Sequence, residues 1–142
     1  MSMNLAEIIE RHPADDTALI SRGRSTTYGE LRRQVASLRG VLAEHHVERG
    51  DRVAILCGNS RYFVIAYLAT LGVGGVAVPL NIISPASEIQ RELDEVQPRI
   101  VFVEPAAMTA WNNIDKTFLK ELRAVIATEG HDIEGAITLS ES

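Results

Sequence analysis

Between Asp51 and Glu104 short apolar runs alternate with longer stretches of helical pattern. Residues 52–56 (RVAIL) are a β-branched apolar run, 61–71 are apolar on nearly every side, and 76–78 are apolar again, closed by Pro79. Residues 88–96 are amphipathic, with Ser84 as a cap and Pro85 at the first helical position, and 100–103 (IVFV) are a last apolar run. The order reads strand, helix, strand, helix, strand. Apolar strands alternating with helices mark parallel βαβ units, whose strands are buried on both faces. The pattern predicts an α/β fold with a mainly parallel sheet and flanking helices, in which 52–56, 76–78 and 100–103 are parallel neighbours.

Upstream, Asn4 and Glu7 fit the cap and third position of an N-terminal helix carrying Leu5, Ile8 and Ile9, which Pro13 stops. Residues 18–20 and 25–27 flank Arg22-Gly23-Arg24 as a β-hairpin with glycine in the turn. Thr27 and Glu30 form a capping box, in which the threonine hydroxyl accepts from the Glu30 amide and the carboxylate reaches back. The helix that follows carries Leu31, Val35, Leu38 and Leu42 at helical spacing, opposed by Arg32, Arg33, Arg39 and Glu44. Downstream, 115–122 is predicted as a helix with Phe118, Leu119 and Leu122 inward. Residues 124–127 follow as a strand, and 129–142 read as an acidic loop in which Ala136-Ile137 is too short to assign. The core is expected over 51–128.

A length of 142 residues fits one domain, and 46% apolar with 23% charged residues is ordinary for a soluble protein. The apolar stretch 63–83 approaches spanning length, but Thr70, Gly72, Gly74, Gly75, Pro79 and Asn81 interrupt it, so it reads as helix plus strand. The N-terminus lacks the basic-then-apolar plan of a signal peptide, and a cytoplasmic location is expected. The net charge is −5, and the acidic excess lies beyond residue 61. That balance argues against a nucleic-acid module. Arg22, Arg24, Arg32, Arg33 and Arg39 read first as a solvated helix face, with anionic lipid or phosphate contact as the sharper alternative.

Cys57 is the single cysteine, which excludes an internal disulfide and a multi-cysteine metal site. A buried structural thiol suits its place after an apolar strand; a nucleophile would need one of His12, His45, His46 or His131 beside it. His45 and His46 fall at a helix end, where positive charge suits the dipole. Adjacent positions on a helix are poor metal-ligand spacing.

Two glycine-bearing segments invite a phosphate reading. In 25–29 (STTYG) one glycine follows the cap and the nearest lysine is Lys116, whereas a phosphate cradle needs several glycines and a lysine close behind. Gly72-Val73-Gly74-Gly75 closes a helix and opens a strand, the reverse of a dinucleotide fingerprint. Asn59-Ser60 stands where the first parallel strand gives way to its helix. Asn59 as N-cap accounts for the pair, although ligands in open α/β sheets also bind at that end.

Three segments together resemble the adenylate-forming (AMP-binding) enzymes. Thr27-Tyr28-Gly29-Glu30-Leu31 looks like their early T-Y-x-E-L motif. Gly50-Asp51-Arg52-Val53-Ala54 with Asn59-Ser60 is similar to their G-D-x-V-A…N-S segment. Leu71 to Asn81 resembles L-K-A-G-G/A-x-x-x-P-L-N/D. The motifs occur in order and in register over about Leu5 to Val103. Cys57-Gly58 departs from the family's L/M-P, and Gly72 stands where a lysine is usual. Asn81, in place of the aspartate of peptide-synthetase adenylation domains, points toward acyl-CoA ligases.

The resemblance implies an acyl-CoA synthetase, with fatty acids as the expected substrates. Its parent would use ATP, Mg²⁺ and coenzyme A to form an acyl-adenylate and then a thioester. The family's phosphate loop ending in Pro-Lys-Gly, its ribose contact and its lid lysine have no counterpart here, and neither Lys116 nor Lys120 matches. No catalytic, cofactor-binding or metal-ligating residue is carried over, and no cofactor is expected on this chain alone. Residues 1–142 read as an N-terminal subdomain fragment, with the remainder of the enzyme as partner and a homo-oligomer as a further expectation. The alternatives are a stand-alone noncatalytic α/β binding or interaction module and a noncatalytic scaffold derived from a ligase. A receiver-type module would need an aspartate at the carboxyl end of a central strand, and Asp51 precedes its strand instead.

Overall fold

The structure, a computed structural model, describes residues 12–21, 24–58, 60–128 and 136–139. The N-terminal helix expected from Asn4, the hairpin turn at Arg22-Gly23 and the cap at Asn59 lie outside these residues. β1 (Thr17–Ser21) and β2 (Arg24–Thr27) pair antiparallel, as the hairpin pattern predicts.

Helix α1 (Tyr28–Glu44) starts at Thr27, whose Oγ1 accepts from the Glu30 amide at 3.1 Å. The same hydroxyl lies 3.3 Å from Glu30 Oε1, so the carboxylate reaches back to the cap. The buried face of α1 is Leu31, Val35, Leu38 and Leu42, the stripe read from the sequence. Thr27→Ala is expected to lower stability by about 0.5–2 kcal/mol, the range for a lost N-cap. A denaturant titration measures it, and an unchanged midpoint would show that the cap contributes nothing here.

Five strands form one parallel sheet in the order β4-β3-β5-β6-β7. They are β3 (Arg52–Leu56), β4 (Val76–Leu80), β5 (Ile100–Val103), β6 (Ala124–Thr128) and β7 (Ala136–Leu139). β3 lies between β4 and β5, so the three expected neighbours are adjacent and parallel. Alternate residues feed two cores. Val53, Ile55, Ile100, Phe102 and Ile126 pack with α1 and α2 (Arg61–Gly72). Ala54, Leu56, Val101, Val103 and Val125 pack with α3 (Ala86–Val96) and α4 (Met108–Asn112). Period-two alternation explains how strands without a polar face supply both layers.

The structure corrects four expectations. Pro79 does not close β4, which continues to Leu80. β4 is the sheet edge, and Val76 donates its amide to the Asp51 carbonyl at 2.8 Å. Alternation then turns Val78 and Leu80 toward β3 and position 79 outward, where a missing amide breaks no ladder bond. The cap of α3 is Pro85 rather than Ser84, and no side-chain hydrogen bond caps it.

Residues 115–122 are not helical; the helical turns lie earlier, in the 3-10 turn Pro105–Ala107 and α4. Asp115 Oδ1 accepts from the Thr117 amide at 3.0 Å and its hydroxyl at 2.8 Å, a local bond that competes with helix. Gln97, itself left-handed at φ 46°, donates to the Phe118 carbonyl at 3.2 Å and accepts from the Lys120 amide at 3.1 Å. These bonds hold the segment as a non-helical loop with a turn at Thr117–Phe118, yet Leu119 is buried and Phe118 and Leu122 still pack on the second core. Finally, the acidic segment 129–142 contains β7, so it is not loop throughout.

The glycines after α2 act as read. Gly74 takes φ 79° and its carbonyl accepts from the Gly50 amide at 3.0 Å. A Cβ on Gly75 would stand 3.1 Å from Thr70 Cγ2 and 3.2 Å from the Asp51 carbonyl oxygen, so a larger residue would push helix and strand apart by a few tenths of an ångström.

Helix α2 is apolar all round because it is covered on several sides. Ile65, Ala66, Leu68 and Ala69 are buried, while Tyr62, Phe63, Val64, Tyr67 and Leu71 are half-buried against the first core. The large exposed apolar side chains among the described residues are Ile20, Val76 and Ile83, which stand on separate elements. No described helix is long and apolar enough to cross a membrane.

Candidate functional site

In a parallel sheet flanked by helices, the functional end is the one beyond the carboxyl ends of the strands. Here that end carries one buried acid, Glu104, directly after β5 and 0% exposed. Its Oε1 accepts from the Gly58 amide at 2.8 Å and its Oε2 from the Ser60 hydroxyl at 2.7 Å. Its own amide donates to the Leu56 carbonyl at 3.1 Å, extending the β3–β5 ladder by one step. A buried carboxyl is tolerated only when its oxygens are hydrogen-bonded, and both are.

Ser60 is the N-cap of α2, but its side chain makes no cap bond. The Ser60 hydroxyl is spent instead on a residue 44 positions away, and the expected cap, Asn59, lies outside the described residues. Arg61, buried, follows it; its guanidinium donates to the Tyr62 hydroxyl at 2.9 Å and lies 4.8 Å from that ring. Cys57 is buried at the end of β3. Among the described residues no three His, Cys, Asp or Glu side chains are grouped to hold a metal.

The phosphate reading of 25–29 fails on geometry as well as on composition. The Tyr28 amide donates to Asp16 O and the Gly29 amide to Ala14 O, both at 2.9 Å, and the Glu30 amide is taken by Thr27. Those amides are committed, so the segment does not fit a polyphosphate. Asn81 Oδ1 accepts from the Ile83 amide at 3.1 Å, a turn-forming role.

At the opposite, amino end of the strands lies an open depression of about 400 Å³, lined by Gly50, Asp51, Arg52, Gln97, Arg99 and Glu121. Its charges are paired: Arg99 lies 3.7 Å from Asp51 and 3.4 Å from Glu121. We read it as a structural seam, because it sits at the wrong end of the sheet for a ligand.

Other arginines bind carbonyls at helix ends. Arg123 donates to His45 O and His46 O at 3.3 Å beyond α1, Arg39 to Gly72 O at 3.4 Å at the end of α2, and Arg52 to Val96 O at 3.1 Å at the end of α3. None of these helices has a basic residue in its own last turn. Arg32 donates to His12 O at 2.7 Å. Arg39 is exposed and Arg32 half-buried, in keeping with a solvated face, and both also tie segments together. A Cβ on Gly72 would meet Arg39 Nε at 2.7 Å, so the guanidinium occupies the space of the side chain absent at 72.

Lys116 and Lys120 do not share a helix. Lys116 Nζ lies 4.9 Å from the Trp111 ring and donates to Ile114 O at 3.0 Å. Burial pushes its amine below the usual lysine range, against the pull of neighbouring Asp115. Hydrogen bonds from the Thr117 amide and hydroxyl hold the Asp115 carboxyl below its ordinary value.

The family model described as "AMP-binding enzyme" matches residues 5–141. The chain belongs to that family, as the three early motifs imply. It is 33% identical over 108 residues to a 3-hydroxybenzoate–CoA ligase of Aromatoleum sp. (strain CIB), covering 72% of this chain and 21% of the relative. It is 35% identical over 118 residues to a Mycobacterium tuberculosis 3-[(3aS,4S,7aS)-7a-methyl-1,5-dioxo-octahydro-1H-inden-4-yl]propanoyl:CoA ligase, covering 82% and 23%. Its fold matches the anthranilate CoA ligase AuaEII at TM-score 0.84 and 22% identity, over 98% of this chain and 27% of that one. Acetoacetyl-CoA synthetase from Streptomyces lividans matches at TM-score 0.81 and 26% identity, over 96% and 24%. The chain thus spans about a fifth to a quarter of the CoA ligases it resembles.

Proposed function

We propose that residues 1–142 are the N-terminal subdomain of an ATP-dependent, AMP-forming acid–thiol ligase, working in the cytoplasm. The observation that carries this reading is the family match over 5–141, on a chain about a quarter of its relatives' length or less. The parent activates a carboxylate as an acyl-adenylate and passes the acyl group to coenzyme A. ATP, Mg²⁺ and coenzyme A are held by the remainder of the enzyme, the proposed partner of this chain. The chain supplies a two-cored sheet and, at its carboxyl end, Gly58 and Ser60. The substrate is a fatty or an aromatic acid: Asn81 favours an acyl-CoA ligase over a peptide synthetase, and one relative's name specifies 3-hydroxybenzoate.

Pyrophosphate release with ATP, Mg²⁺ and a panel of fatty and aromatic acids tests this. The complete polypeptide carrying this sequence is expected to turn over with one acid class, and the 142-residue chain to stay at background. Release by the chain alone would overturn the division of labour. A complete polypeptide that adenylates no acid would overturn the ligase reading and favour a noncatalytic module. Light scattering on the same samples reads self-association, the second proposed partnership.

A further inference from the structure

We infer that Glu104 is a positioning residue: its carboxyl fixes Gly58 and Ser60, and with them the amino end of α2, at the end of the sheet where the parent binds its substrates. The inference rests on the ligase reading of the chain and adds a residue that the early motifs do not include.

Three observations converge on it. Both carboxyl oxygens are used, one on the Gly58 amide and one on the Ser60 hydroxyl, across 46 and 44 positions of sequence. Glu104 is itself fixed at every polar backbone atom: its amide bonds Leu56 O, and its carbonyl accepts from the Ala107 amide at 2.9 Å. Ser60 gives up capping its own helix to make the long-range bond.

A fully buried carboxyl carries a desolvation penalty, and here its two hydrogen bonds to Gly58 and Ser60 offset it. The acid ties Gly58 and Ser60 to the end of β5 through side-chain bonds that span the sheet. α2 has no acidic residue in its first turn, so the Glu104 carboxyl is also the acid nearest in bonding to that helix end.

The test uses the complete polypeptide carrying this sequence, with Glu104→Leu and Glu104→Gln. Leucine removes both bonds and keeps an apolar volume. Glutamine keeps an oxygen for the Gly58 amide and offers its amide to Ser60, whose hydroxyl can turn to accept. Two readouts are taken: hydrogen exchange of the peptide spanning 57–63, which needs no turnover, and steady-state kinetics with ATP and the accepted acid.

Glu104→Leu is expected to speed exchange in 57–63 at least tenfold while the melting temperature falls by no more than a few degrees. KM for ATP or the acid should rise at least tenfold with kcat within threefold, and Glu104→Gln should restore both readouts. Exchange unchanged in Glu104→Leu would overturn the positioning role. Faster exchange with an unchanged KM would overturn its bearing on substrate. A large fall in melting temperature, with kinetics restored on cooling, would reduce these two bonds to fold stability and also overturn the positioning role. A complete polypeptide inactive with every acid would sink the ligase reading, and the exchange arm would still decide whether Glu104 holds Gly58 and Ser60.

Discussion

Trp111→Ala is expected to destabilise the chain by about 3–5 kcal/mol, the range for removing a large aromatic from a packed core. Trp111 is 0% exposed and lies in the second core with Ile89, Leu93, Val101 and Val103. Truncation removes this ring and the platform on which the Lys116 ammonium rests. Trp111→Phe should cost far less, about 1–2 kcal/mol, because it keeps an aromatic filling. It also forfeits no hydrogen bond, since Nε1 finds no partner among the described residues. Trp111 is the chain's one tryptophan, so urea unfolding must be followed by far-ultraviolet circular dichroism and not by its fluorescence. A Trp111→Ala chain within 1 kcal/mol of the parent would mean that the segment 105–119 is not part of the cooperative core.

The other face of the sheet gives the companion result. Phe102→Ala should also cost about 3–5 kcal/mol. Phe102 is 1% exposed on β5, the middle strand of the sheet, and packs with Ile55, Ile126 and the α1–α2 layer. Phe102→Leu should stay within about 1.5 kcal/mol, because a compact apolar side chain can refill most of the space. Chemical denaturation with a common slope for both variants would confirm that the native packing, and not the unfolded chain, has changed. If alanine and leucine were equally mild at 102, the first core would be fluid at its centre.

Much of this fold is legible in sequence because its signals are long-lived along the chain. The 52–56 and 100–103 runs are strands with the expected bounds, since continuous β-branched and aromatic residues bounded by polar ones leave few other solutions. The stripe Leu31, Val35, Leu38, Leu42 maps directly onto the buried face of α1. The misreadings came from bonds that no local pattern records. Asp115 and Gln97 pull 115–122 out of a helix that its periodicity suits. Pro79 reads as a terminator until the strand is known to be an edge.

Glu104 was missed for a related reason. A lone acid after IVFV looks like the polar end of a strand. Its significance appears only when β5 is set beside β3 and Gly58 and Ser60 come within bonding distance. A polar residue directly at the carboxyl end of a buried parallel strand is the signal by which it could have been found. The family was legible from three short motifs in register.

The arginines at the helix ends have a consequence for how the chain opens. A helix normally frays from its termini, since the last carbonyls lack partners and each turn can be released at little expense. Here the last carbonyls of α2 and α3, and the two residues just beyond α1, are held by guanidinium groups rooted elsewhere: Arg39 on α1, Arg52 on β3 and Arg123 beside β6. Releasing one end therefore disturbs a neighbour: α2 is tied to α1, α3 to β3, and the end of α1 to the residue before β6. The C-terminal turns of the three long helices should then open together with the sheet, as one cooperative unit, instead of peeling away one at a time.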